Sequence, residues 1–316
     1  MSAPDHDWTL RPIQPAELKN AVAALVSAEH PGSEQVVRET NAFELYAQAS
    51  SIVGTAHWGA FRETTMLAAC LCFDHPGRTS LIFVPEREAP SAVDPVILEL
   101  LARQAQDAAS RNVHLLQVIL RPEQQHTESL LQRAQFTFLA DLQYLERPIR
   151  TPGPPPVPDL HWRTYGPTTQ NDFRETIRQT YAGSLDCPLL AGKRDIHDVI
   201  DGHKAAGDFN PDLWFLAVRA ESPVAVLLLA RNPAQHNAEI VYMGVIPQQR
   251  GRNIGRALLH KANSIAQQTR AECLTLAVDA ANRHASALYS DDGFVERAQR
   301  RAWIRFVDRD PKRLAR

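Results

Sequence analysis

Residues 245–257 read Val-Ile-Pro-Gln-Gln-Arg-Gly-Arg-Asn-Ile-Gly-Arg-Ala, which predicts the end of a strand, a short loop and the first turn of a helix. The first turn of a helix leaves backbone N–H groups without intrahelical partners, so such a junction can bind an anion. Gly251 and Gly255 carry no side chain, so the backbone can approach a phosphate closely. The same stretch adds three positive charges, on Arg250, Arg252 and Arg256. Together these features predict a pyrophosphate site.

The loop matches neither of two common phosphate-binding patterns. No Gly-Lys-Ser or Gly-Lys-Thr follows it, which excludes a P-loop. The Gly-x-Gly-x-x-Gly pattern of Rossmann domains is also absent. A glycine pair at a strand–helix junction is by itself more often a packing turn than a binding site. The interpretation therefore depends on the residues around it.

Strand and helix patterns alternate around the loop. Predicted strands cover residues 213–219, 224–230, 239–246, 273–278 and 301–307. Predicted helices cover residues 168–184, 193–206, 254–270 and 282–291. Strands that alternate with helices indicate an α/β layer structure.

A proline-rich segment divides the chain into halves of similar length. Six prolines stand between residues 148 and 158, and such a run favours an extended spacer over a helix or a central strand. We therefore predict a first domain at residues 1–149, a linker at 150–158 and a second domain at 159–316.

The two halves carry matching patterns at a nearly constant offset. Three apolar residues recur 158 positions later, with Leu100, Leu130 and Phe136 matching Leu258, Leu288 and Phe294. An earlier hairpin recurs with an offset of 157, from Arg62 to Arg219. A fixed offset of domain size indicates an internal duplication. The alternative is two α/β domains that share a general rhythm by chance.

The second half resembles the GNAT superfamily of acetyl-coenzyme A-dependent N-acetyltransferases over about residues 160–308. The resemblance lies in three segments that occur in the family's order and spacing: Tyr242–Pro247, Arg250–Gly255 and Asn282–Phe294. The tandem layout is similar to that of mycothiol synthase, which belongs to the same superfamily. Asn253 stands where the family's Arg-x-x-Gly-x-Gly loop usually has its first glycine. Asparagine tolerates left-handed backbone better than most residues, so the loop can keep its shape.

The resemblance implies a fold and a coenzyme site. The fold would be α/β, with tandem GNAT-like domains that each contain a mixed, mostly antiparallel sheet flanked by helices. Backbone groups of Met243, Gly244 and Val245 would bind the pantetheine arm of acetyl-CoA and polarise its thioester carbonyl. Asn282 would contact the coenzyme near its sulfur. The pyrophosphate would be held by Arg250, Gly251, Arg252, Asn253, Ile254, Gly255 and Arg256.

Two catalytic residues are also implied by the resemblance. Glu239 would act as a base through water, because an amine must lose a proton before it can attack a thioester. Tyr289 would protonate the departing thiolate. Each residue has a structural alternative: Glu239 on an exposed strand face, Tyr289 against the core, and Asn282 as a helix N-cap. No metal site is predicted.

The implied activity is transfer of an acetyl group from acetyl-CoA to a primary amine by direct attack. The amine would belong to a small molecule or a peptide. A non-catalytic acyl-CoA sensor and a transferase of longer acyl chains remain as alternatives. The expected acceptor region is acidic and would suit a cationic amine, although ordinary polar loops explain it equally. It contains Tyr181, Ser184, Asp186, Cys187, Asp208, Asn210 and Asp212.

The first half lacks the phosphate loop, which predicts a degenerate copy. After Val84 and Pro85 come Glu86, Arg87 and Glu88, with no glycine, and Pro90 removes a further backbone donor. Acidic side chains at this place would repel a pyrophosphate. We expect this half to serve packing or to shape the acceptor cleft.

Composition excludes several classes of protein. The 316 residues carry a net charge of −2, whereas dedicated nucleic-acid binders are strongly basic, so we predict no nucleic-acid partner. A basic stretch from Arg297 to Arg316 is interpreted as a solvated strand face and chain end. Apolar runs such as Val224–Ala230 are far shorter than the ~20 residues that span a bilayer, so no membrane partner is expected. Four cysteines and a polar N-terminus predict a cytoplasmic protein without disulfides.

Overall fold

The fold is described from a computed structural model of the chain. The structure describes residues 7–26, 32–48, 52–87, 89–151, 157, 159–232 and 236–307. Its strands, in chain order, are β1 (Thr9–Pro12), β2 (Gly54–Thr55), β3 (Trp58–Arg62), β4 (Thr65–His75), β5 (Thr79–Phe83), β6 (Leu115–Leu120), β7 (Thr137–Pro148), β8 (His161–Thr164), β9 (Trp214–Arg219), β10 (Ser222–Asn232), β11 (Asn237–Val245), β12 (Cys273–Asp279) and β13 (Val295–Phe306). Its α-helices are α1 (Leu18–Leu25), α2 (Glu34–Ala47), α3 (Asp94–Ser110), α4 (Gln125–Arg133), α5 (Gln170–Thr180), α6 (Ile196–Lys204), α7 (Ile254–Gln268) and α8 (Arg283–Asp291).

The chain divides into two compact units. The first contains Met1–Leu139 and Arg301–Arg316, and the second contains Ala140–Arg300. In the first unit the strand order is β1-β3-β4-β5-β6-β13, with β2 beside β4. The pair β5–β6 is parallel and its neighbours are antiparallel. This is the mixed, mostly antiparallel sheet that was predicted.

The second unit repeats this arrangement. Its strand order is β7-β12-β11-β10-β9-β8, and only the pair β11–β12 is parallel. Side chains of β10 alternate between two apolar clusters, as expected for a strand buried on both faces. Leu227 and Leu229 pack with α7 and α8, whereas Val226 and Leu228 pack with α5 and α6. The predicted α/β architecture with helices on the sheet is confirmed.

The internal duplication is visible in the hydrogen-bonded register. In β5–β6, Thr79 lies opposite Leu115, and in β11–β12, Asn237 lies opposite Cys273, which is the same pair 158 residues later. Helices α4 and α8 match at the same offset, as do β7 and β13. Two unrelated α/β domains could share the order of their elements by chance, but they would not also share the residue-by-residue pairing of their strands. The structure therefore supports duplication.

The last strand of each repeat is exchanged. β7 ends the first repeat in sequence, yet residues 142–148 pair with β12 in the second unit. β13 ends the second repeat, yet residues 301–306 pair with β6 in the first unit. Cys273 lies opposite Pro148 and Leu115 opposite Phe306, so the two pairings are equivalent. The boundaries of the units, at 139/140 and 300/301, therefore differ from the boundaries predicted at 149 and 159. The reason is that strand pairing, and not chain order, decides to which unit β7 and β13 belong. Most of the predicted linker, and the chain after residue 307, lie outside the described residues.

None of the helices in the described part of the chain is long and apolar enough to cross a membrane.

Candidate active site

A bulge in β11 opens the sheet of the second unit. In the β10–β11 ladder, Leu228 lies opposite Tyr242 but Leu229 lies opposite Ile240, so Val241 is an extra residue. The pairing of β11 with β12 extends from Asn237 to Ile240. Beyond the bulge, β11 therefore runs on beside β10 while its β12 side is left open. In the first unit, β4 and β5 pair from Leu71 to His75 without a register shift.

The open edge of β11 presents backbone groups. Ile246 donates to the carbonyl oxygen of Val224 at 3.0 Å, which sets the alternation of this antiparallel ladder. Gly244 and Tyr242 therefore bond toward β10, whereas the N–H groups of Met243 and Val245 are directed to the opposite side. Of the three residues predicted to bind pantetheine, two present backbone groups to the open edge. Gly244 has no side chain, which allows β11 to pack closely on the end of α5, because a Cβ at this position would lie 2.8 Å from Thr180 Cβ.

The opening leads into a cleft of about 810 Å³. Its volume lies within the range of small-molecule sites. Eleven of the thirteen residues predicted for the site line it: Met243, Gly244, Val245, Arg250, Gly251, Asn253, Ile254, Gly255, Arg256, Asn282 and Tyr289. Arg252 and Glu239 do not line it.

The predicted pyrophosphate loop has the backbone that its sequence allows. Asn253 precedes α7 with φ 60° and ψ 10°, the left-handed conformation that asparagine tolerates. Gly251 has φ +73°, and a Cβ there would meet no atom within 4 Å. Glycine is thus required at position 251 for conformation and leaves space beside the loop. The N-terminus of α7 faces the cleft through Asn253, Ile254 and Gly255.

Gly255 has a different reason for its size. A Cβ at this position would lie 2.9 Å from Leu288 Cδ2, so the glycine allows α7 and α8 to pack closely. The sequence suggested that both glycines let a phosphate approach. The structure assigns a packing constraint to Gly255 and a conformational one to Gly251.

The guanidinium of Arg250 bonds to four carbonyl oxygens of the protein. Nη2 donates to Thr180 at 2.8 Å and to Ala182 at 2.9 Å, and Nη1 donates to Gly183 at 3.1 Å. Nε donates to Val245 at 3.1 Å. The side chain thus caps the C-terminus of α5, where a positive charge is favourable. It also links that helix end to the end of β11. In this structure the guanidinium is thus engaged by backbone carbonyl oxygens of the protein.

The other two arginines of the loop differ in their partners. Arg256 donates from Nη2 to Asp291 Oδ2 at 3.0 Å, an exposed ion pair between α7 and α8. Within the described residues, Arg252 is exposed and has neither a hydrogen bond nor an ion pair. Positive charge at this end of the cleft also comes from Arg283, at the start of α8.

Asn282 and Tyr289 are presented by α8. Asn282 is its N-cap, and Oδ1 accepts the N–H of Ala285 at 3.3 Å while the residue also lines the cleft. Tyr289 is 6% exposed, packs edge-to-face on Phe294 and lines the cleft as well. Its hydroxyl has no hydrogen-bond partner within the described part of the chain. Burial, and then the charge of Asp186, raise the pKa of Tyr289.

Glu239 lies on β11 before the bulge. Its carboxylate accepts a hydrogen bond from Asn232 Nδ2 at 3.2 Å. Burial raises the pKa of Glu239, and the hydrogen bond from Asn232 opposes this. The residue is therefore neither an exposed strand residue, as the structural alternative supposed, nor part of the cleft lining.

Of the acidic residues in the predicted acceptor region, Asp186 lines the cleft. Asp186 and Asp279 each accept a backbone N–H from the other's segment. The N–H of Asp279 donates to Asp186 Oδ1 at 3.2 Å, and the N–H of Cys187 donates to Asp279 Oδ2 at 3.1 Å. Burial raises the pKa of Asp186, and the N–H of Asp279 lowers it. The backbone N–H of Asp208 instead donates to the carbonyl oxygen of Arg231 at 3.2 Å, and Asn210 Oδ1 accepts the N–H of Asp212. Nothing in the sequence separated Asp186 from these other polar residues.

Comparison with known proteins agrees with this geometry. Residues 177–294 match the model of the acetyltransferase (GNAT) family, and every residue that lines the cleft falls within them. The cleft therefore lies in the segment that matches this family, and we refer to the second unit, which contains that segment, as the GNAT domain. No curated protein sequence matches the chain significantly.

Two solved structures show that the tandem architecture is shared. A GCN5-related N-acetyltransferase from Sphaerobacter thermophilus matches with a TM-score of 0.62 and 17% identity, over 97% of each chain. A tandem GNAT protein from the clavulanic acid biosynthesis pathway matches with a TM-score of 0.52 and 12% identity, over 95% of this chain and 99% of that one. Likeness at this identity is one of fold. The predicted tandem GNAT-like fold is confirmed.

The first unit fills the place that is open in the GNAT domain. Thr127 occupies the position on α4 that Ala285 occupies on α8, and it is 1% exposed. Its hydroxyl accepts the N–H of Arg87 at 3.0 Å and lies 3.3 Å from the carbonyl oxygen of Pro85. At the start of α3, the Asp94 carboxylate bonds His126 and occupies the place suited to an anion. Side chains of the chain itself thus take up these two positions in the first unit. Glu88 lies outside the described residues.

Among the described residues, no group of three or more His, Cys, Asp or Glu side chains is arranged to hold a metal ion.

Proposed function

We propose that the protein transfers an acetyl group from acetyl-CoA to a primary amine by direct attack, and that the reaction takes place in the cleft of the GNAT domain. One observation carries the proposal. The cleft joins the first turn of α7, the open edge of β11 and the hydroxyl of Tyr289, which has no hydrogen-bond partner among the described residues. A site for the pyrophosphate, an edge for the pantetheine arm and an acid would therefore share one cavity, which supports the proposal.

The coenzyme would bind with its pyrophosphate at the loop before α7. Backbone N–H groups of residues 251–256 would surround the phosphate oxygens, because the first turn of a helix offers unpaired donors. Arg252 and Arg256 would add charge from the rim, whereas Arg250 would hold the loop in place. Screening by solvent makes the exposed arginines less important than the amides.

The pantetheine arm would lie along β11, where β12 leaves the edge open. The N–H groups of Met243 and Val245 would bind the arm and the thioester carbonyl, which develops negative charge when the amine attacks. Backbone donors that already point at this oxygen stabilise the tetrahedral intermediate without reorganisation. Asn282 would contact the coenzyme near the sulfur.

Proton transfer would involve Glu239 and Tyr289. Glu239 would accept a proton from the ammonium through water, and its raised pKa makes its carboxylate a stronger base than an exposed one. The free amine then attacks the thioester carbon, and the C–S bond breaks. Tyr289 would give its proton to the thiolate and recover one from the attacking nitrogen. Its raised pKa keeps the hydroxyl protonated at neutral pH, as a donor must be.

Tyr289→Phe is expected to lower kcat about 100-fold while the affinity for acetyl-CoA changes little, since general acid catalysis contributes roughly 10²–10⁴ in rate. Phenylalanine keeps the packing on Phe294, so the fold is preserved. Thiol release with a panel of amines measures kcat, and calorimetry measures coenzyme affinity. Tyr165→Phe is the matched control, because Tyr165 packs on Phe173 and Trp214, away from the cleft lining. Wild-type activity in Tyr289→Phe would remove the acid role, and coenzyme binding without any thiol release would favour a sensor.

One acetyl-CoA is expected to bind per chain, because Thr127 and Asp94 fill the corresponding places in the first unit. Isothermal titration calorimetry measures the stoichiometry. Gly251→Val should abolish the binding heat, since a β-branched residue does not adopt φ +73° without strain. Glu86→Gln, in the first unit, should leave it unchanged. A stoichiometry of two, or full binding by Gly251→Val, would contradict the assignment of the site to the GNAT domain.

A further inference from the structure

The segment before α6 brings one carboxylate into the cleft and fixes it there. Asp186 Oδ1 accepts the N–H of Asp279, at the end of β12, and Asp279 in turn accepts the N–H of Cys187. Asp279 is 3% exposed, whereas Asp186 is exposed, so a buried partner holds a carboxylate at the surface of the cleft. Within the described residues, Asp186 Oδ2 accepts no hydrogen bond. One oxygen of Asp186 thus holds the segment, and the other is available to a ligand.

Asp186 lies close enough to Tyr289 to affect its ionisation, and it acts in the same way on Tyr242 and Tyr181. These residues come from α8, β11 and the end of α5. Tyr289 is more than nine-tenths buried, lines the cleft and has a hydroxyl without a partner among the described residues. Asp186, which has an oxygen without a partner among the described residues, and Tyr289 therefore line the same cleft.

Charge is distributed unevenly in the cleft. Asp186 supplies the only carboxylate among the described residues that line it. The arginines of the lining come from the loop before α7, the first turn of α7 and the start of α8, namely Arg250, Arg256 and Arg283. A ligand with phosphates at one end and a cation at the other would match both. The coenzyme supplies the phosphates, so the cation has to come from the acceptor.

We infer that Asp186 binds the ammonium group of the acceptor, and that the acceptor is an amine with no carboxylate beside its amino group. This inference rests on the proposed function and adds the class of acceptor to it. An α-amino acid would bring its own carboxylate next to Asp186, and juxtaposed like charges in a binding site are strongly unfavourable. An alkylamine brings only the cation, which pairs with the free oxygen of Asp186.

The test compares amines with the amino acids that differ from them by one carboxylate, such as agmatine with arginine and tyramine with tyrosine. For the wild-type protein, kcat/KM is expected to favour the amine at least tenfold in each pair. Asp186→Asn should lower kcat/KM for the amine about tenfold or more and bring the ratio within a pair close to one. Asp186→Glu should keep the preference. A purely structural role of Asp186 would lower both activities and leave the ratio unchanged.

Controls separate this inference from the proposed function. The amide oxygen of Asp186→Asn can still accept the N–H of Asp279, so thermal stability and acetyl-CoA affinity should match those of the wild type. Acetylation that favours the amino acids, or a ratio that Asp186→Asn leaves unchanged, would overturn the role of Asp186 while the proposed function stands. Coenzyme binding without acetylation of any amine would overturn the proposed function, and this inference with it.

Discussion

A chain cut at the proline-rich segment, so that residues 159–316 are produced alone, is expected not to form a stable GNAT domain. The cut removes β7, which pairs with β12 over seven residues, from Leu142 opposite Asp279 to Pro148 opposite Cys273. Backbone hydrogen bonds contribute about 1 kcal/mol each, and a whole domain is stable by only about 5–15 kcal/mol. Loss of a strand would therefore remove most of the stability and expose the edge of β12.

Side chains of β7 add to this dependence. Arg147 is 2% exposed; it pairs with Asp292 at 2.9 Å and donates to Asn263 Oδ1 on α7 at 3.1 Å. Asn263 also bonds the backbone of Arg150 in both directions. Leu145 belongs to the apolar cluster beneath α7. Without β7, the GNAT domain loses a core residue and leaves Asp292 and Asn263 without these partners.

Circular dichroism and thermal denaturation of residues 159–316 will measure the effect. A cut of the full chain at the same place, with both fragments produced together, is the matched control. Each fragment carries the strand that completes the other unit, so the pair should copurify and regain a cooperative transition. A cooperative transition of residues 159–316 alone, near the temperature of the full chain, would show that β7 is dispensable.

The exchange of β7 and β13 shows what the sequence could and could not predict. The hydrophobic pattern predicted the end of β13, as a strand at residues 301–307, and the 158-residue offset predicted the duplication, but β7 was not predicted. The partner of each strand was not predictable, because β7 and β13 have equivalent positions in the two repeats and either fits beside β6 or β12. Chain order suggested pairing within each repeat, and nothing local contradicts that choice.

The candidate site was predictable to a similar degree. The loop before α7 was found because glycines, an asparagine and arginines at a strand–helix junction have few explanations. The roles of single residues were less predictable: Arg250 bonds carbonyl oxygens of α5, and Gly255 accommodates Leu288, which requires knowledge of neighbours distant in sequence. Asp186 was named only as one of several polar residues of the acceptor region, because its partner, Asp279, lies 93 residues away.

Arg250→Ala is the second variant with a large expected effect, on both stability and coenzyme binding. The substitution removes four charge-assisted hydrogen bonds, which join the end of α5 to the end of β11. Such bonds contribute about 1.5–3 kcal/mol each when buried, and solvent weakens those at an exposed residue, so we expect a total loss of about 2–4 kcal/mol. The melting temperature should fall by roughly 4–16 °C in a domain of this size.

Two comparisons distinguish the bonding role of Arg250 from its charge. Arg250→Lys keeps the charge, but one ammonium cannot reach four carbonyl oxygens in the geometry of a guanidinium, so most of the loss should remain. Arg256→Ala also removes an arginine of the loop, yet its exposed ion pair with Asp291 is worth at most about 1 kcal/mol to folding. Arg250 bonds Val245, at the open edge of β11, and also the segment that leads to Asp186. Arg250→Lys should therefore weaken acetyl-CoA binding at least tenfold in calorimetry. Wild-type stability and affinity in Arg250→Lys would show that only the charge matters and that the four hydrogen bonds do not organise the site.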